Sequence, residues 1–157
     1  MFATQLFDAL AAADVRYCVV GGVAVNLHGI PRMTYDIDIM VEMSATNLTA
    51  CAAAMKTLGL MSRLPIRLED AADASTATAW EEERNLIAAT FVDPANPLRE
   101  VDVLIAPSLD PSGVVARATA LAGGIYVATI PDLIRLKERA GRRQDLADID
   151  HLKRLLP

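Results

Sequence analysis

Residues Gly21–Val41 read GGVAVNLHGIPRMTYDIDIMV, and the architecture follows from how that stretch divides. Its end, from Asp36 to Val41, is an apolar, β-prone run interrupted by two carboxylates. Successive side chains of a strand point to opposite faces, so Asp36 and Asp38 share one face while Ile37 and Ile39 enter a core. Two carboxylates side by side repel each other unless a cation sits between them. Hard oxygen ligands at that spacing suit Mg²⁺, which is commonly held by one or two carboxylates together with substrate phosphates. The expectation is a metal-dependent site for a nucleotide.

Arg16–Val20 (RYCVV) predicts a buried strand that ends at Gly21-Gly22, and Val23–His28 a short helix stopped by Gly29-Ile30-Pro31. Glycines at such a turn let the backbone approach an anion closely, at a helix end with free N–H groups. Any tight strand-to-helix turn could use the same pair.

Residues 3–13 fit an amphipathic helix, and Ser44 an N-cap for a helix running to Leu58 and closed by Gly59. Leu60–Leu68 leaves room for a strand, and Glu69–Arg84 reads as helix, acidic loop or both. Leu86–Val92 and Arg99–Ile105 predict two strands joined by the DPANP turn. Pro111–Ala122 predicts a helix and Ile125–Ile130 a short strand. Pro131-Asp132 opens a helix to Ala140, Gly141 breaks it, and Arg142–Leu156 forms the last one. Strands beside a hairpin, with helices packed mainly on one side of a mixed sheet, predict an α+β fold rather than a doubly wound one. Residues 1–157 are expected to form one domain, with 131–157 a C-terminal helical pair completing the site.

Hydrophobic residues make up 53% of the chain, but many are alanines, so that fraction overstates core volume. The apolar runs fall well short of the roughly 18 residues that span a membrane. The N-terminus carries Asp8 and Asp14 and lacks the basic start of a signal peptide. Cys18 and Cys51, with no CxxC spacing, read as buried free thiols, and a cytoplasmic protein is the simplest account. A net charge of −5 argues against a general nucleic-acid coat. The basic run RLKERAGRR, Arg135–Arg143, is either a solvated helix face or a local polyanion site.

Asp102 interrupts an apolar strand, where a lone buried carboxylate is costly and calls for a partner. A cation shared with Asp36 and Asp38 would serve, as would a place at the sheet edge. Glu100 shares that strand face, nearer the turn. Lys137 lies on the apolar side of its helix, four residues from Leu133, and either snorkels to solvent or meets an anion. Asp145 aligns with Ile149, Leu152 and Leu156 on an inward face, where a favourable helix-dipole interaction would also account for it. Arg142 is a phosphate-contact candidate, with Arg143 behind it. Thr34 reaches the Asp36/Asp38 face if the strand begins early, and Arg32 flanks the site. His28 reads as a helix-end side chain tied to backbone carbonyls, and Trp80 as packing more than as a lid or base-stacking residue.

On these residues the chain resembles nucleotidyltransferases of the polymerase-β-like fold, and within them the minimal AbiEii/MenT-type toxins of toxin–antitoxin systems. The resemblance rests on Gly21-Gly22, on Arg32-x-Thr34-x-Asp36-x-Asp38, on Asp102, and on the ending LIRLKERAGRRQDLADIDHL. It is weakest between Leu60 and Asn85. Gly22 stands where many superfamily members place a serine that contacts phosphate, although Gly-Gly is common in the AbiEii-like group. The resemblance implies that Asp36, Asp38 and Asp102 hold Mg²⁺, that Gly21-Gly22 cradles phosphates, and that Lys137 neutralises the triphosphate. It implies nucleotide contacts for Thr34, Arg142 and Asp145. It further implies transfer of an NMP from an NTP to an acceptor such as a tRNA end, with a cognate antitoxin as partner. The alternatives are an aminoglycoside or lincosamide nucleotidyltransferase, with a small-molecule acceptor, or a non-catalytic nucleotide-binding module.

Overall fold

The computed structural model describes residues Met1–Pro157. A mixed seven-stranded sheet runs through the molecule. Its strands are β1 (Tyr17–Val20), β2 (Ile37–Val41), β3 (Met61–Ser62), β4 (Ala88–Asp93), β5 (Asn96–Leu104), β6 (Thr119–Ala120) and β7 (Tyr126–Val127). They lie in the order β3-β4-β5-β2-β1-β7-β6. The β2–β5 and β1–β7 pairs are parallel, and the remaining neighbours are antiparallel. The fold is α+β.

Seven α-helices accompany the sheet: α1 (Phe2–Ala12), α2 (Gly21–Leu27), α3 (Ala45–Thr57), α4 (Ala74–Arg84), α5 (Pro111–Arg117), α6 (Ile130–Ala140) and α7 (Arg143–Lys153). Three of them start on side-chain caps. Ser44, Asp73 and Thr129 accept the backbone N–H of Asn47, Thr76 and Asp132, which satisfies donors that a helix start leaves free. α6 ends at Gly141, whose φ of +65° gives the left-handed cap that glycine adopts at little cost.

A cluster of 36 buried hydrophobic residues forms the core. All four residues of β1 are at most 3% exposed, so both faces of the sheet are covered there. On the carboxylate-bearing end of β2 burial alternates instead: Ile37 and Ile39 are buried, Asp36 is exposed and Asp38 half-buried. One face of the sheet is therefore open at that end. α2 contacts β1, β2 and α6, and α6 packs on α7, so the C-terminal helices border the open face through α2.

Several boundaries differ from those expected. The helix after Gly21 starts at that residue rather than at Val23. The helix expected over Pro111–Ala122 stops at Arg117, because Thr119-Ala120 pair with β7. The strand expected over Ile125–Ile130 is only Tyr126-Val127, since the Thr129 cap starts α6 at Ile130. Asp36 precedes β2 rather than opening it. No helix is long and apolar enough to cross a membrane. Cys18 and Cys51 are buried free thiols, pushed by burial to a pKa of about 12.

Candidate functional site

The parallel register of β2 on β5 builds the site. Ile37 lies opposite Val101 and Asp38 opposite Asp102. Opposed residues share a sheet face, so Asp36, Asp38, Glu100 and Asp102 gather on the open side while Ile37, Ile39, Val101 and Val103 fill the core. Carboxylate oxygens of Asp36, Glu100 and Asp102 lie within 4.8 Å of one another. That set differs from the expected one, because Glu100 stands where Asp38 was placed. Val20 pairs with Asp38, which brings the turn after β1 alongside, and the Asp38 carboxylate lies against Gly21 instead.

Charge crowding is visible in Asp38. Burial, then the neighbouring Asp102 and Asp36, push its pKa up to about 7, against the opposing pull of Arg142 and Lys137. A carboxyl in that condition gains from any cation placed among these four groups. Asp102 is held by Thr90 on β4, whose Oγ1 donates to its Oδ1. Thr90 lies directly opposite Asp102 in the β4–β5 register.

Both glycines of the turn are demanded by close approach. A Cβ on Gly21, at φ +65°, would lie 2.0 Å from Asp38 Oδ2. One on Gly22 would lie 2.7 Å from Thr34 Oγ1 and 3.2 Å from the Arg32 guanidinium carbon. Thr34 therefore folds over the turn rather than extending the strand face, since β2 begins only at Ile37. Its hydroxyl makes one long hydrogen bond, to the Asp36 carbonyl at 3.4 Å.

A cleft of about 120 Å³ adjoins this turn, lined among others by Gly21, Asp38, Lys137, Arg142 and Asp145. Lys137 is 4% exposed, and its ammonium donates to Asp148 at 2.8 Å and Asp145 at 3.5 Å. Arg32 pairs with the same Asp148 oxygen. Arg142 donates to Asp145 from its backbone N–H (3.1 Å) and from Nε (2.8 Å). Burial alone would raise the Asp145 pKa, but the hydrogen bonds and charge of Arg142, with Lys137 adding, hold it below the usual carboxylate value. Arg142 is pushed higher by the same hydrogen bond. Lys137, Arg142 and Asp145 thus stand on the side of the cleft across from Asp38, with Asp148 and Arg32 behind them in the same ion-pair network.

Asp145 has a structural task as well, capping α7 through the Arg142 N–H. Reading the sequence passed over Asp148 and Thr90. Asp148 carries a signal, being three residues after Asp145 and so on the same buried face. Thr90 carries none until its strand is paired. The basic run is mostly committed to the fold: Arg135 binds the Leu109 carbonyl and Asp132, while Arg139 binds the Ser108 carbonyl and Glu81. Arg143 is exposed at the start of α7. His28 Nε2 bonds the Ala128 carbonyl at 2.8 Å, and Trp80 is packed in the core.

A scan against protein-family models and a search of curated proteins return no match to this chain.

Proposed function

We propose that the chain is a metal-dependent nucleotidyltransferase with the polymerase-β-like fold. The observation that carries this is the β2–β5 register, which puts four carboxylates on one open face beside a cation-walled cleft. The donor set fits Mg²⁺, being all hard oxygens, with three ligand atoms within 4.8 Å. Asp36, Asp102 and Glu100 would hold the ion, with Asp38 beside them against the Gly21 turn. When bound, Mg²⁺ supplies charge neutralisation to the entering and leaving oxygens of an in-line displacement.

The protein's own groups have separable tasks. The turn at Gly21-Gly22 seats the triphosphate close to the backbone, and the Lys137–Arg142 wall offsets its charge. Two of the three Lys137 donors already serve Asp145 and Asp148, so Lys137 acts on phosphate as part of that network. The acceptor hydroxyl oxygen attacks the α-phosphorus and forms the new P–O bond. The bond to the β-phosphate bridging oxygen breaks, and pyrophosphate leaves with that electron pair. Asp102, fixed by Thr90, receives the hydroxyl proton. A tRNA end as acceptor, in a toxin–antitoxin setting, is the reading the sequence motifs favour.

Incubation with α-labelled NTPs, Mg²⁺, total tRNA and cell extract tests the reaction. Label is expected on an acceptor with the wild-type chain and not with D36A/D38A. Nucleotide binding without transfer to any acceptor would overturn the enzyme reading and leave a nucleotide-binding module.

A further inference from the structure

The other face of the sheet holds a larger opening. Val20 lies opposite Asp38 and shares its face, so Tyr17, three residues earlier on β1, belongs to the face turned away from that carboxylate. There α1 packs on α3, and α5 on β1 and β2. A cleft of about 520 Å³ opens beside the C-terminal turns of α1 and α5 and is lined by Tyr17 and by Tyr126 of β7. Its walls are mostly apolar, Val15 and Val115 among them. That volume falls within the range of small-molecule sites. No residue of the carboxylate face lines it.

Several groups at this cleft are not spent on the fold. Tyr17 is 3% exposed, yet its hydroxyl proton has no acceptor in the protein. Arg99 Nε is the one side-chain polar atom sealed from solvent without a partner, so the Tyr17 hydroxyl keeps an open side, and the cleft is what Tyr17 lines. The Tyr126 N–H lies beside the phenol oxygen, which leaves the phenol proton to donate elsewhere. Burial pushes this phenol up to about 12, so it keeps its proton at neutral pH. A buried donor without an acceptor costs free energy that a ligand in the cleft would recover. At the rim the Asp14 carboxylate is exposed and pairs with no cation, while Arg16 reaches Glu42 only at 3.9 Å. Tyr126 stands edge-on to Tyr17, at 82°, and is 44% exposed, so part of its surface is left for a ligand.

These groups select among ligand charges. An anion would meet Asp14 and the negative end of the α1 dipole. An ammonium or amidinium has no lone pair for the Tyr17 proton. A flat ring with both an acceptor and N–H donors satisfies Tyr17 and Asp14 together and lies against the Tyr126 ring. We propose that this cleft is a second small-molecule site, for a neutral planar nitrogen heterocycle bearing a ring carbonyl and an amino group, held by Tyr17, Asp14 and Tyr126. The site stands on the opposite face from the carboxylates and does not depend on nucleotidyl transfer.

The test titrates the full chain by calorimetry with pterin as the probe, and with benzoate and benzamidine as anionic and cationic controls. Pterin is expected to saturate one site, with both controls at least ~10-fold weaker. Y17F removes only the hydroxyl and should weaken pterin about 3–10-fold, the worth of one hydrogen bond. D14N keeps a residue that tolerates the φ of +53° there and should lose a similar factor. A116W, at an exposed lining position, fills the cleft and should abolish binding, which carries the test if Y17F melts early. D36A/D38A should bind pterin as wild type does. No saturable pterin binding overturns the proposal, as does wild-type affinity in Y17F and D14N, or equal affinity for either control. Loss of pterin binding in D36A/D38A overturns it too, by placing the ligand on the carboxylate face.

Discussion

Oδ2 of Asp38 occupies the space that a Cβ on Gly21 would need, 2.0 Å away, so the turn and the carboxylate are built as one unit. Gly59 offers a control, having a similar positive φ of +74° with nothing within 4 Å. G59A is expected to lose about 1–2 kcal/mol for backbone strain alone. G21A should lose at least twice as much, since the Asp38 side chain must also turn away. Urea denaturation of both variants measures the difference; equal losses would contradict the close approach.

The pH dependence of the metal-free protein follows from Asp38. Its folded pKa of about 7 lies above the ordinary 3.8, so between those values the native state holds more proton than the unfolded chain. Stability from this group is present below about pH 4 and is lost as pH rises toward and through 7. D38N removes that loss. In EDTA at pH 8 it should be the more stable protein, on the order of 2–4 kcal/mol, with the gap closing toward pH 4. Thermal melts from pH 4 to 8 check the slope, and added Mg²⁺ should stabilise wild type more than D38N.

Asp148 ties together Lys137, Arg32 and, at 3.4 Å, Gln144. D148A takes from Arg32 its one carboxylate and leaves the buried Lys137 only the longer contact to Asp145, and is expected to cost about 3–5 kcal/mol. K137M leaves Asp148 its Arg32 partner and should cost less. The double variant K137M/D148A should lose clearly less than the sum, which a denaturation cycle reads as coupling.

Thr90 Oγ1 donates to Asp102 and so orients that carboxylate. T90V is expected to lower Mg²⁺ affinity or transfer rate 10–100-fold, the usual order for a group that holds a ligand in place. T90S keeps the hydroxyl and should stay near wild type. Manganese binding followed by EPR separates a metal effect from a rate effect.

Asn47 gives a prediction remote from the chemistry. It is 6% exposed, accepts the Arg16 N–H at 2.8 Å, and donates to the carbonyls of Arg16 (2.9 Å) and Glu42 (2.8 Å). N47A leaves those backbone groups unpaired near β1 and β2. A loss on the order of 3 kcal/mol is expected by urea denaturation.

Much of this was legible from residue spacing. Alternation around Asp36 and Asp38 announced a half-open strand, Ser44 its following helix, and DPANP the hairpin. Local chemistry decides such features, so local sequence carries them. Pairing across distance is another matter. Glu100 joins Asp36 only because β5 docks parallel on β2 at one register, and a two-residue strand such as β3 has no periodicity to read. Thr90 acquires its place through such docking. The exchange of Asp38 for Glu100 in the tight carboxylate set has the same origin, since the turn beside Val20 captures Asp38.

The ion pairs of Arg32 and Lys137 with Asp148 also set an order of events during synthesis. β2 and β5 leave the ribosome before Lys137 and Arg142, so the carboxylate face is translated while those cations are still missing. A nascent chain therefore presents crowded negative charge without Lys137 and Arg142 until α6 and the Gly141-Arg142 turn emerge, and those cations lack Asp145 and Asp148 until α7 follows. The Asp148 ion pairs to Lys137 and Arg32 are therefore contacts that only the finished C-terminal helix can complete.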